Sequence, residues 1–85
     1  MKEDQHIEFK ESWHDEYTRY VSAFCNTQGG VLYIGLNDNG TVVGIEHPEK
    51  LIERLPNFIA QKTGIMPLVH LKESNGKEYL EIEVQ

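Results

Sequence analysis

Cysteine, long apolar runs and basic residues are all scarce in this 85-residue sequence. The single cysteine, Cys25, cannot form an internal disulfide, and one thiol makes no zinc cluster of the Cys-x-x-Cys kind. We expect it to be a small buried residue on a helix. No window approaches the roughly 18 apolar residues of a membrane span, and the polar start cannot serve as a signal-peptide core. We therefore expect a cytoplasmic protein without a membrane partner.

Basic residues are outnumbered by acidic ones, 8 against 14, and the formal net charge is -6. Neutralisation of phosphates supplies most of the non-specific affinity of a protein for nucleic acid, and it requires clustered Lys and Arg. This charge balance argues against indiscriminate wrapping of DNA. The basic residues are dispersed along the sequence, so only folding can gather them on one face.

The composition is that of an ordinary globular protein, with 39% hydrophobic and 26% charged residues. A chain of this length supports one hydrophobic core, and it contains no internal repeat, low-complexity tract or linker. We therefore predict a single domain over residues 1–85. Its first strand is predicted at residues 6–10, where alternation places Ile7 and Phe9 inward and Glu8 and Lys10 outward.

Helical spacing of apolar residues predicts a first helix from about Trp13 to Asn26, with a capping signal at Ser12 and Asp15. The glycine pair at residues 29–30 closes this helix, because glycine accepts the left-handed conformation. Two β-rich runs around an Asn-Gly turn predict a hairpin over residues 31–45.

A second helix is predicted from Pro48 to near Gly64, and a second hairpin turns at Asn75-Gly76. The order is thus strand, helix, strand, strand, helix, strand, strand. This order predicts an α+β fold, a mixed sheet with two helices packed on one face.

Three segments in a fixed order carry a family resemblance: residues 8–10 (Glu-Phe-Lys), 22–30 (Ser-Ala-Phe-Cys-Asn-Thr-Gln-Gly-Gly) and 33–38 (Tyr-Ile-Gly-Leu-Asn-Asp). A Val-Gly-Ile triplet follows at 43–45. Together they resemble the Schlafen AlbA-like domain, in detail over the first half of the chain and by element order over the rest. Domains of that family commonly continue into an aromatic, Arg-rich and Gly-rich stretch. We therefore expect this chain to be the N-terminal fragment of a longer regulator.

The resemblance implies two activities. Bacterial members are mostly described as DNA-binding domains of transcriptional regulators or helicase-related proteins. Animal members use a related domain as a metal-dependent endoribonuclease with an acidic triad, whose positions hold Glu3, Glu8 and Asp38 here. These carboxylates would serve as catalytic residues and as ligands of Mg²⁺ or Mn²⁺. Glu3 and Glu8 lie on opposite faces of a straight strand, so a bend between them is required. Asp38 has an alternative role in satisfying the backbone of its turn.

Candidate nucleic-acid contacts combine two cations with the turn after the first helix. They are Lys10, Arg19, Asn26, Thr27, Gly29 and Gly30. The glycine pair follows a helix, whereas the glycines of an ATP-binding phosphate loop precede one, so ATP binding is unsupported. The four histidines lie on separate predicted elements without metal-ligand spacing, and we assign them surface or capping roles.

The leading hypothesis is a binding module for nucleic acid, DNA or RNA, that requires no cofactor. The second is a divalent-metal endoribonuclease that uses the acidic triad. The third is a protein-interaction or homo-oligomerisation module that pairs through its sheet edges, which fits the acidic balance.

Overall fold

Alternating apolar residues form a sheet, and two amphipathic helices cover one side of it in the computed structural model of the chain. The structure describes residues 2–85. The elements are, in order, β1 (Ile7–Lys10), a 3-10 turn (Asp15–Tyr17), α1 (Thr18–Cys25), β2 (Gly30–Ile34), α2 (Pro48–Thr63), β3 (Leu68–Ser74) and β4 (Lys77–Val84). The predicted α+β class is confirmed.

The sheet is mixed, as predicted, and its strand order is β1-β2-β4-β3. β1 runs parallel to β2, while β4 pairs antiparallel with both β2 and β3. Directly paired residues point to the same side of a sheet, so the register defines rows of side chains that cross all the strands. One row, Glu8, Leu32, Ile82 and Val69, lies on the side of the helices.

The hydrophobic core lies between the sheet and the helices. Its fully buried side chains come from α1, α2, β2 and β4, and they are Val21, Phe24, Leu32, Ile34, Leu55, Ile59, Leu80, Ile82 and Val84. Burying a side chain of this kind contributes about 1.5–3 kcal/mol to folding. The packing of these side chains holds both helices on one face of the sheet, as the sequence predicts.

The first helix begins later than predicted. Its regular part starts at Thr18, and the residues before it form a 3-10 turn instead of a capped α-helical turn. The carboxylate of Asp15 is engaged elsewhere, because it accepts hydrogen bonds from the Trp13 indole at 2.7 Å and from Arg54 at 2.8 Å. At the other end of the helix, Cys25 is exposed, so the prediction that it is buried is wrong.

The two glycines after α1 have different structural roles. Gly29 adopts a left-handed conformation with φ of 95°, as predicted for a helix end. Gly30 has no positive φ, but a Cβ there would lie 2.5 Å from the ring of Phe24. The second glycine is therefore required by the close approach of β2 to the helix and not by its own conformation.

The first predicted hairpin forms only in part. The turn is closed by the Asn37 side chain, which accepts hydrogen bonds from the backbone of Asn39 and Thr41. Beyond it, a single bridge between Leu36 and Val42 replaces the second strand, so the sheet has four strands. Gly44 has a φ of 85°, and this left-handed conformation interrupts the extended backbone that a longer ladder needs.

The second hairpin and the second helix agree with the prediction. β3 and β4 pair over their full length around Asn75 and Gly76, which both have positive φ values. α2 has Pro48 in its first turn and ends at Gly64 in the left-handed conformation. Among the helices of residues 2–85, none has the length and apolar character that a membrane crossing requires.

Two glycines with positive φ form a matched pair that tests the close approach at the end of β2. A Cβ at Gly29 would lie 2.5 Å from the Val84 carbonyl oxygen, whereas a Cβ at Gly76 meets nothing within 4 Å. We expect Gly76→Ala to cost about 1 kcal/mol of left-handed strain. Gly29→Ala adds a clash with backbone, for a total of about 2–4 kcal/mol. Urea denaturation measures both, and equal losses would contradict this account.

Candidate functional site

A tight turn brings Glu3 beside β1. Asp4 and Ile7 exchange two backbone hydrogen bonds of 3.1 and 3.2 Å, so the chain reverses direction between them. Glu3 then accepts a hydrogen bond from the backbone N–H of Phe9 at 2.9 Å. This carboxylate satisfies a donor on the outer edge of β1, and the bend that the sequence requires between Glu3 and Glu8 is present.

The two charged residues of β1 face the helices. Glu8 and Lys10 share rows with core residues of β2, so the prediction that they point outward is wrong. Phe9 lies on the opposite face, where it packs 5.9 Å from the ring of Tyr33 and is only 1% exposed. Both faces of this edge strand are partly covered, which is why alternation alone does not identify the inner one.

The carboxyl groups of Glu3 and Glu8 shift each other's pKa in opposite directions. Burial, followed by the interaction with the Glu3 carboxyl and its negative charge, raises the pKa of Glu8 to about 7. The interaction with Glu8, together with the hydrogen bond from Phe9, lowers the pKa of Glu3. Ionisation of both neighbouring carboxyls is opposed by their repulsion, so near neutral pH this pair carries between one and two negative charges.

Asp38 extends this acidic cluster. It lies in the turn after β2, and its negative charge contributes to the raised pKa of Glu8. The side-chain hydrogen bonds that close the turn come from Asn37, so the alternative role considered for Asp38 is filled by its neighbour. Across residues 2–85, the ligand atoms of Glu3, Glu8 and Asp38 do not all lie within 4.8 Å of one another. The donors suit Mg²⁺ or Mn²⁺, but their arrangement is more open than a closed metal site.

Lys10 lies between this acidic cluster and the aromatic side chains before and within α1. Its Nζ is 3.8 Å from Glu8 and 5.3 Å from the ring centroids of both Tyr17 and Tyr20. Desolvation acts to lower the pKa of Lys10, but the Tyr20 hydroxyl and the Glu8 charge outweigh it, so the pKa is raised. The amine therefore stays charged beside the two rings.

Arg19 approaches the same aromatic ring from the surface. Its guanidinium lies 5.1 Å from the Tyr20 centroid and donates a hydrogen bond of 3.4 Å to the Tyr20 hydroxyl. The structure therefore brings together the two predicted cations through Tyr20. Lys10, Tyr17, Arg19 and Tyr20 are called the cationic patch below. The helical spacing of Tyr17 and Tyr20 predicts core residues, a role that both have, and the structure adds their contacts with the cations.

The predicted nucleic-acid contacts in the turn after α1 are not part of the cationic patch. The hydroxyl of Thr27 donates to the carbonyl of Ala23 at 3.1 Å, and the N–H of Gly29 donates to Phe24 at 2.7 Å. Gly29 is buried, while Asn26 is exposed at the end of the helix. Arg19 and Asn26, the first residue of this turn, are seven positions apart, which is about 10 Å at the rise of an α-helix. Gly30 belongs to the same end of the sheet as the turn.

A second group of ionisable side chains was missed entirely. His70 of β3 lies close to Glu81 and Glu83 of β4, with ligand atoms that are all within 4.8 Å of one another. The signal was present in the sequence, because a two-residue turn at Asn75-Gly76 fixes the pairing of the two strands. Counting outward from that turn pairs His70 with Glu81.

Comparisons with known proteins agree with this architecture. A family model described as Schlafen, AlbA_2 matches residues 3–85. The chain is also similar to the solved structure of the DIP2311 protein from Corynebacterium diphtheriae, with 27% identity and a TM-score of 0.77. That similarity covers 99% of this chain and 21% of the other, so this chain spans about a fifth of the length of that protein.

The raised pKa of Glu8 predicts a specific pH dependence. The pKa of Glu8 is about 7 in the folded chain, against an ordinary value of 4.5, so the folded chain binds more protons between these values. The contribution of Glu8 to the free energy of unfolding therefore declines as the pH rises from 4.5 through 7. We expect Glu3→Gln to lower the apparent pKa of Glu8 only in part, because burial is the largest cause.

Carboxyl ¹³C shifts measured against pH test this expectation. Glu11→Gln, an exposed acid that does not contribute to the pKa of Glu8, is the control and leaves the titration unchanged. A Glu8 curve centred near 4.5, or one that Glu3→Gln does not move, would contradict the effect of burial and of Glu3 on this pKa.

Proposed function

The chain belongs to the Schlafen AlbA_2 family, and we propose that it is a nucleic-acid-binding module within a longer cytoplasmic protein. The finer assignment, a DNA-binding domain of a bacterial transcriptional regulator or helicase-related protein, is part of this proposal. The observation that carries it is the cationic patch, in which Lys10 and Arg19 both lie against Tyr20.

The chemistry of the cationic patch suits a phosphate backbone next to a base. Lys10 provides a compact positive charge, and the planar guanidinium of Arg19 can donate two parallel hydrogen bonds to phosphate. Both lie close to Tyr20, at 5.3 and 5.1 Å from its ring centroid, so one phosphate group can contact both cations. Aromatic side chains beside cations are also typical of surfaces on which bases stack.

Protonation of Glu8 favours the approach of an anion to the cationic patch. Below pH 7 Glu8 is mostly protonated, so only one negative charge of the pair remains beside Lys10. This local compensation reconciles the proposal with the net charge of -6, because electrostatic attraction depends on nearby charges more than on distant ones screened by salt.

Substitutions of single cations test the cationic patch. We expect Lys10→Gln and Arg19→Gln each to weaken the binding of labelled single- or double-stranded DNA or RNA several-fold at low salt and pH 6. Each substitution should also reduce the slope of the logarithm of the association constant against the logarithm of the salt concentration by about 0.7–0.9, which is the contribution of one phosphate contact. Fluorescence anisotropy measures both quantities.

Lys72→Gln is the matched control, because it removes the same charge from an exposed position on β3. Amide spectra establish that each variant keeps the fold. The proposal fails if the unmodified chain binds none of these nucleic acids, or if Lys72→Gln weakens binding as much as the substitutions in the patch.

A metal-dependent endoribonuclease is the second candidate, and the raised pKa of Glu8 within a group of three acids favours it. When bound, a divalent ion would polarise a phosphate and stabilise charge on the leaving oxygen. Glu8 and Asp38 would supply oxygen ligands, and Glu3 is already oriented by the N–H of Phe9. Lys10 lies 3.8 Å from Glu8, where it would contact the same phosphate.

Cleavage of a structured RNA hairpin with Mn²⁺ tests this second candidate. We expect Glu8→Gln to lower the rate at least a hundredfold, since it removes a central ligand and the titrating group, while Glu11→Gln retains the activity of the unmodified chain. Amide spectra verify the fold of both variants. Equal rates in the two variants would exclude the acidic triad as a catalytic site.

A further inference from the structure

The sheet face opposite the helices carries a group of side chains that the proposed function does not use. His70 and Glu81 are direct partners in the pairing of β3 with β4, and Glu83 lies two residues further along β4 on the same face. The three side chains thus converge from two adjacent strands of a hydrogen-bonded ladder. Their positions are set by backbone pairing and not by a mobile loop.

The spacing of this group approaches that between ligands of one metal ion. The Nε2 atom of His70 is 3.3 Å from a carboxylate oxygen of Glu83, and the atoms of all three residues lie within 4.8 Å of one another. Two ligands of a tetrahedral ion with bonds of about 2.0–2.2 Å are about 3.3–3.6 Å apart. The distance between His70 and Glu83 falls in this range.

Negative charge in this group is not balanced by a strong cation. Within residues 2–85, the ion pair of Glu83 is with His70, and no Lys or Arg lies within 4.0 Å of Glu81 or Glu83. The side chains of His70 and Glu83 are 42% and 38% exposed, so an ion from solution can reach them. A divalent cation would relieve the repulsion between the two carboxylates.

We propose that His70, Glu81 and Glu83 form a binding site for a divalent transition-metal ion, with Zn²⁺ as the best fit. An imidazole nitrogen with two carboxylates suits zinc, whereas Mg²⁺ prefers oxygen ligands alone. Three protein ligands leave the fourth position of a tetrahedral ion open to water or to a ligand from solution.

This site is separate from the acidic cluster that contains Glu8. Glu8 faces the helices, while His70 and its partners lie on the other face of the sheet. β1 and β4 are also two strand spacings apart, which is about 10 Å. The proposed zinc site therefore does not depend on the proposed binding of nucleic acid.

Calorimetric titration of the full chain with ZnCl₂ tests the proposal. We expect one ion per chain with a dissociation constant in the micromolar range, and at least a tenfold weakening in His70→Gln and in Glu83→Gln. His47→Asn is the matched control, because His47 also lies beside a glutamate, at 3.7 Å from Glu49, but is not part of a group of three ligands. That variant should bind zinc like the unmodified chain.

Amide shifts of the unmodified chain give a second readout that does not depend on how the variants fold. Zinc should shift the amides around residues 70, 81 and 83 with the same saturation as the heat signal. Absence of saturable binding, or binding that survives His70→Gln, would show that these residues form an ion pair only. Binding that Glu8→Gln abolishes would place the metal in the acidic cluster and overturn the proposal.

Discussion

The parallel pairing of β1 with β2 is the constraint from which the candidate site follows. Its register places Glu8 and Lys10 on the side of the sheet that the helices cover. The carboxyl of Glu8 is thereby partly removed from water, and desolvation is the largest cause of its raised pKa. The amine of Lys10 is brought to the rings of Tyr17 and Tyr20 by the same register. A shift of one residue would move both charges to the opposite face.

Elements with local determinants were predictable from the sequence. Asn75-Gly76 accounts for the second hairpin, and Pro48 with Gly64 brackets the second helix, because each of these residues acts through its own backbone conformation. Features that depend on tertiary neighbours were not predictable from the sequence. The inner face of β1 depends on what covers each side, and the start of α1 depends on the distant Arg54 that engages Asp15.

The sequence indicated which residues form the candidate site, but it did not indicate how their carboxyl groups affect one another. The resemblance picked out Glu3, Glu8 and Asp38, and the residues themselves required a bend between the first two. The raised pKa of Glu8 depends on the Asp4–Ile7 turn, which brings Glu3 close, and on burial, neither of which has a sequence signal. The group of His70, Glu81 and Glu83 differs in this respect. The strand register that brings its residues together follows from the two-residue hairpin turn, so the group could have been predicted from the sequence.

The folded chain gathers two cations that the sequence disperses. Lys10 and Arg19 converge on one ring near the start of α1, although they are nine positions apart in sequence and acids lie between them. Glu81 and Glu83 lie on the opposite face of the sheet, away from those cations. The net charge of the chain therefore does not describe either face. An anion approaching the cationic patch meets two cations beside a carboxyl group whose pKa is raised, whereas a cation approaching the other face meets two carboxylates and an imidazole. The same four-stranded sheet supports both environments, because alternation along each strand keeps its two faces chemically independent.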